Sequence, residues 1–170
     1  LAMLVQGPDG NLYGATKQGG PLYLGTLFRM TPAGVLTTLH TFDGTNGAFP
    51  QRVTFGRDGN LYGVVSGRIV NEESLPGSIF KLTTNGMFTT LQRFDGTNAL
   101  RPFADLVLAR DGNLYGVTSD INLQLTANGN AGLFFRLVEA PNTTISRSNG
   151  SVNVSWTSFT NGVYRVDFKS

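Results

Sequence analysis

The chain contains no cysteine, which excludes disulfides, thiolate nucleophiles and zinc–cysteine sites at once. It has one histidine, His40, and only three glutamates, Glu72, Glu73 and Glu139. A catalytic triad or a metal centre built on a lone histidine needs further groups, and nothing in the sequence nominates them. No catalytic residue, metal or cofactor is therefore expected. Charge is also scarce. Charged residues make up 14% of the chain, against roughly 25% in an average soluble protein. The formal net charge is +2. The lysines and arginines are scattered, with no run of the kind that tracks a phosphate backbone, so nucleic-acid binding is not expected. No apolar stretch approaches the roughly 20 residues of a membrane span. The chain opens on Leu1 and reads as a mature chain or a fragment, so a missing signal peptide says nothing about secretion.

What the chain has in quantity is glycine, 22 copies, and a repeat. The hexapeptide DGNLYG begins at Asp9, at Asp58 and at Asp111. Around it other segments recur in order. GTLFRMTPAG at Gly25 is matched by GSIFKLTTNG at Gly77 and, loosely, by GLFFRLVEAPN at Gly132. VLTTLHTFDGTN at Val35 is matched by MFTTLQRFDGTN at Met87, and a proline follows each time, Pro50 and Pro102. Residues 1–138 are thus expected to hold three units, about 4–51, 52–104 and 105–138. Residues 139–170 depart from the repeat.

Each unit reads as four short strands separated by Gly, Asn, Asp and Pro, the residues that make turns. Asp-Gly between two apolar runs is a hairpin signal, because tight hairpin turns require positive φ. Asp9-Gly10, Asp58-Gly59 and Asp111-Gly112 are therefore read as structural turns. In the second strand Leu12, Gly14 and Thr16 share one face, and Tyr13 and Ala15 the other. In the fourth, strict alternation puts Leu36 with Phe42 and Val35 with Leu39. Apolar residues on both faces suit sheets covered on both sides, as blades are in a propeller. The expected fold is all-β: tandem four-stranded antiparallel units, β-propeller-like, with a C-terminal hairpin or partial sandwich.

The remaining candidates carry a bland reading beside a functional one. DGNLYG lacks the alternating oxygen ligands of a calcium loop. Tyr13, Tyr62 and Tyr115 recur at equivalent positions, as do Asn11, Asn60 and Asn113. Arg29, Lys81 and Arg136 recur in the third strand. These tyrosines and cations are candidate ligand or partner contacts, with solvated or snorkelling rim residues as the alternative. The loops from Lys17, Arg68 and Asp120 differ most between units, and Tyr23 and Leu24 are candidate contacts there. Asn142, Asn149 and Asn153 fit the glycosylation pattern, which an Asn- and Thr-rich chain meets by chance.

Taken together, the submotifs resemble the GloVer tandem repeat over about 4–138. The resemblance implies a propeller-like β architecture in bacterial proteins at the cell surface or outside the cell, with differing C-terminal anchoring signals and no assigned reaction. DGNLYG is also similar to elements of NHL-type and streptogramin-lyase-like propellers. The tail, with SVNVSWTSF and GVYRVDF, resembles the start of a fibronectin-type or immunoglobulin-like sandwich, too short for a whole one. Three blades are fewer than a propeller's usual complement of about 4–8. Further repeats, the tail, or neighbouring copies would have to cover what is left open. The expected function is a non-catalytic extracellular structural or interaction protein that self-associates, into filaments through strand addition in one form. The alternative is a glycan- or small-ligand-binding lectin-like propeller.

Overall fold

The structure, a computed structural model, describes residues 4–66, 68–70, 73–75, 77–94, 101–102, 104–119, 134–140, 154–157 and 163–169. Glu72, the loop after Asp120 and the asparagines Asn142, Asn149 and Asn153 of the glycosylation patterns lie outside these residues.

Among the described residues every regular element is a strand, and all pairing is antiparallel. Sheet one is β1 (Val5–Gln6), β2 (Leu12–Thr16), β3 (Thr26–Met30) and β4 (Leu36–Thr41), in that order. Sheet two repeats the pattern with β5 (Pro50–Phe55) and β6 (Leu61–Val65). After a small hairpin of β7 (Arg68–Val70) and β8 (Glu73–Leu75), it continues with β9 (Gly77–Leu82) and β10 (Phe88–Phe94). In sheet three, β11 (Arg101–Pro102) and β12 (Val107–Leu108) both pair with β13 (Leu114–Ser119), which pairs with β14 (Phe134–Ala140). The tail joins this sheet. β16 (Val163–Lys169) pairs with β14 where β4 and β10 stand in the earlier sheets, and β15 (Val154–Thr157) extends it outward.

The turns between strands are built one way five times. At Gly7–Asn11, Gly56–Asn60 and Ala109–Asn113 the first residue's N–H donates to the fifth residue's carbonyl, and the fourth residue's N–H donates to the first carbonyl. Thr31–Val35 and Thr83–Met87 do the same. This is a type I turn closed by a bulge glycine, and only the glycine takes positive φ: 80°, 73° and 89° at Gly10, Gly59 and Gly112. At that position any other residue would pay the left-handed penalty, which explains why the fourth residue of each loop is Gly.

The sheets stack face to face through two apolar clusters. One draws Tyr13, Ala15, Leu27 and Phe42 from the first unit and Val53, Leu61, Val65, Phe80 and Leu82 from the second. The other draws Tyr62, Val64, Ile79, Leu91 and Phe94 from the second and Leu106, Leu114, Phe135 and Leu137 from the third. Along β6 the alternation is complete: Leu61 and Val65 face sheet one, while Tyr62 and Val64 face sheet three. Fully burying side chains of this size stabilises by about 1.5–3 kcal/mol each. The three sheets form an open stack: among the described residues they do not close a ring.

Strict alternation fails in the fourth strand. Leu36 is exposed while Phe42 is fully buried, so the two do not share a face. The cause is a bulge at Leu39: Phe28 pairs with Thr38, but Leu27 pairs with His40. The extra residue reverses the parity of everything after it. The same shift recurs at Leu91, between Thr90 and Gln92. It lets Leu91 and Phe94, three residues apart, both enter the cluster with sheet three.

Candidate functional site

The recurring polar residues converge on one arrangement, built three times. Asp9 accepts from the Asn11 backbone N–H (3.1 Å), from Asn11 Nδ2 (2.7 Å) and from Tyr13 Oη (2.7 Å). Asp58 accepts the same three bonds from Asn60 and Tyr62, at 3.1, 2.7 and 2.9 Å. Asp111 does so from Asn113 and Tyr115, at 3.0, 2.8 and 2.6 Å. The hairpin dictates this. The carboxylate caps the turn two residues on, and the tyrosine, four residues on, reaches back from the second strand with its hydroxyl.

The third-strand cations belong to the same arrangement. Register places Arg29 opposite Tyr13, Lys81 opposite Tyr62 and Arg136 opposite Tyr115. In the middle unit Lys81 is buried, with Nζ 3.0 Å from Asp58 Oδ2 and 5.8 Å from the centre of the Tyr62 ring. Tyr13 and Tyr62 are themselves buried between sheets; Tyr115 stays partly exposed, stacked on Phe134 with ring centres 5.4 Å apart. Of the tyrosine and cation candidates, then, those of the first two units point into the stack, and those of the third lie on an open face.

The electrostatics follow. The Tyr13 hydroxyl, ahead of the Asn11 bonds, holds the Asp9 carboxyl below its ordinary value. Burial would push Asp58 up, but the bonds from Asn60, Lys81 and Tyr62 outweigh it and the net shift is downward. The Tyr115 and Asn113 bonds hold Asp111 down at about 2. Burial and the Asp9 carboxylate raise Tyr13. These are carboxylates kept ionised by donors, not carboxyls poised to give up a proton near neutrality.

The final glycine of the motif serves packing. A Cβ on Gly14 would lie 2.7 Å from Phe28 Cζ, and one on Gly63 would lie 2.5 Å from Phe80 Cζ. Gly116 meets the Phe135 ring in the same way. In each unit the third-strand phenylalanine crosses the backbone where the glycine leaves room. A further close approach explains the spaced prolines: Pro50 packs on Gly25, and Pro102 on Gly77. The recurrence of Gly25 with Pro50, and of Gly77 with Pro102, was the sequence signal of this sheet-to-sheet clasp.

Other polar contacts tie neighbouring units. The Arg52 backbone N–H donates to Asp105 Oδ1 (3.1 Å), the Arg57 guanidinium to the Arg110 carbonyl, and Arg93 Nη2 to the Thr45 carbonyl (2.7 Å). Asp43 folds its own loop, accepting from the Thr45 backbone and hydroxyl at 2.9 and 2.8 Å.

His40 sits at the contact of sheets one and two. Its ring stacks on Phe88, with centres 3.8 Å apart and planes 4° apart, and meets the edge of Phe42 at 4.9 Å. Among the described residues Nε2 is buried without a hydrogen-bond partner, and burial lowers the pKa against the opposing effects of Asp43 and Asn46. In the loop after β2, Leu24 packs against the first cluster while Leu22 and Tyr23 are exposed, Tyr23 with φ of 56°. Among the described residues no three His, Asp or Glu side chains gather as a metal site, and no helix is long and apolar enough to cross a membrane.

No curated protein matches the chain. A family model, described as the Gloeobacter/Verrucomicrobia repeat, matches residues 2–164. With the tandem units already evident in the sheets, the chain belongs to the Gloeobacter/Verrucomicrobia repeat family.

Proposed function

We propose that this is a non-catalytic structural or interaction protein of the cell surface or extracellular matrix, whose copies associate with one another. One observation carries the reading. In the first two units the recurring aspartate, asparagine and tyrosine bond to one another within each hairpin, Asp9 to Asn11 and Tyr13, and Asp58 to Asn60, Tyr62 and Lys81, and the two tyrosine rings are buried between sheets. What the repeat offers outward is apolar sheet face and backbone edge, which suit association rather than turnover. The sparse charge and absent cysteine accord with a surface or matrix location without requiring it.

Two measurements test this. Antibody labelling of intact cells should reach the protein, and labelling only after lysis would overturn the location. Sedimentation of the purified chain across a dilution series should show association, and a monomer of 18.3 kDa throughout would overturn self-association.

The glycan-binding alternative has one foothold, the partly exposed Tyr115 stacked on Phe134. A glycan array in which Tyr115→Ala abolishes binding would favour it.

A further inference from the structure

The two faces of each sheet differ, and the chain docks them in one sense only. Call face A the side bearing Leu61, Phe80 and Leu82 in sheet two, and face B the side bearing Tyr62, Val64 and Ile79. Face A of sheet two packs on sheet one, and face B packs on sheet three. Sheet three in turn meets sheet two with its own face A, through Leu114, Phe135 and Leu137. Thus A-on-B docking occurs twice within the chain.

Among the described residues, the same rule leaves one A and one B without a covering sheet. Face A of sheet one carries Leu4, Leu12, Phe28, Met30 and Leu36. Phe28 and Met30 stand where Phe80 and Leu82 stand in sheet two, and Leu36 where Phe88 stands. Leu4 is 43% exposed and Leu36 60%, although Phe88 at the equivalent place is packed against the first cluster and stacked on His40. Face B of sheet three carries Val107, Tyr115, Val117 and Phe134. Val117 and Phe134 are 41% and 45% exposed, whereas Val64 and Ile79, their equivalents in sheet two, are fully buried. The two open surfaces are the two halves of an interface the chain already makes twice.

We infer that the partner for both is a second copy of this chain, docked head to tail. Face A of sheet one in each copy would lie on face B of sheet three in the other. This rests on the self-association proposed above and names its surfaces. An interface between unlike faces either closes into a ring or runs on as a filament. Two copies of three sheets make six, within the roughly 4–8 sheets at which propellers close, whereas three copies overshoot. Closure at two copies is the expected form.

The test uses charge on exposed positions, where a substitution does not threaten the fold. A first variant carries L4E and L36E on face A, and a second carries V107K and V117K on face B. The unaltered chain should sediment at twice 18.3 kDa. Each variant alone should fall two-fold in mass, to the monomer, with unchanged far-ultraviolet circular dichroism. Mixing the two should restore the dimer, because one unaltered A face then meets one unaltered B face. Variants that remain associated would overturn the docking while leaving self-association standing. A monomeric unaltered chain would overturn both. If only one of the two variants dissociates, the pairing is like-on-like and the head-to-tail arrangement is overturned; variants that both dissociate but do not recombine when mixed overturn it as well. Should a variant lose its circular dichroism signal, L36E alone and V107K alone repeat the test at one exposed side chain each.

Discussion

Sheets one and two are built from nearly the same words, yet among the described residues sheet two is covered on both faces and sheet one on a single face. All six residues of β9 are buried, whereas in β3 only Leu27 is. Phe28 and Phe80 cross the same glycine in the same strand, but Phe80 is wholly buried and Phe28 keeps part of its ring in solvent. The difference lies in position within the stack, not in local sequence. A residue's worth here depends on whether a neighbouring sheet reaches it.

The largest expected effect tests this directly. Phe80→Ala should destabilise by about 3–5 kcal/mol, as large-to-small changes in packed cores do. Phe28→Ala, measured on the dissociated chain, should cost at least about 1 kcal/mol less, because its ring loses fewer contacts. Equal losses in urea denaturation would erase the distinction between the sheets. Next, Gly63→Ala should cost about 1–3 kcal/mol, since the added methyl meets a Phe80 ring held on all sides. Gly14→Ala should cost less, because Phe28 has solvent to move into.

A smaller effect separates the second and third hairpins. Tyr62→Phe removes a buried donor to an ionised carboxylate and should cost about 1.5–3 kcal/mol. Tyr115→Phe should cost less, its partner Asp111 being solvated. The smallest effects come with pH. Asp9, Asp58 and Asp111 have folded pKa values below the ordinary 3.8. Their contribution is therefore full above that value and is lost as pH falls through the folded values, which for Asp111 means towards about 2. His40 is also depressed, from 6.5, so its unfolded form binds protons first and stability falls as pH drops below 6.5. His40→Phe keeps the stack on Phe88 and should flatten thermal midpoints between neutral and mildly acid pH. An unchanged slope would show that another group carries it.

Much of this architecture was legible in the sequence. The repeat marked the units, the glycine-closed turns marked the hairpins, and β6 followed strict alternation. The fourth strand did not, because the bulges at Leu39 and Leu91 obey packing rather than periodicity and leave no signature in residue type. Nor did the sequence show that Tyr13, Tyr62, Arg29 and Lys81 turn inward. Tyrosine and lysine suit a binding surface and a sheet junction equally well; the Asp–Tyr bond forms in every hairpin, and a neighbouring sheet decides between the two. The meaning of the spaced prolines lies in Gly25 and Gly77, which belong to the preceding sheet.

Because an A face always meets a B face, the ends of the stack stay the same however many units lie between them. Excising residues 52–104 would bring face B of sheet one against face A of sheet three, surfaces already shaped for each other. Duplicating that stretch would insert a sheet whose two sides are matched in advance. Length is thus free to change by whole units without a new interface having to arise, and a gene of this kind can grow or shrink by unequal recombination while its product still folds.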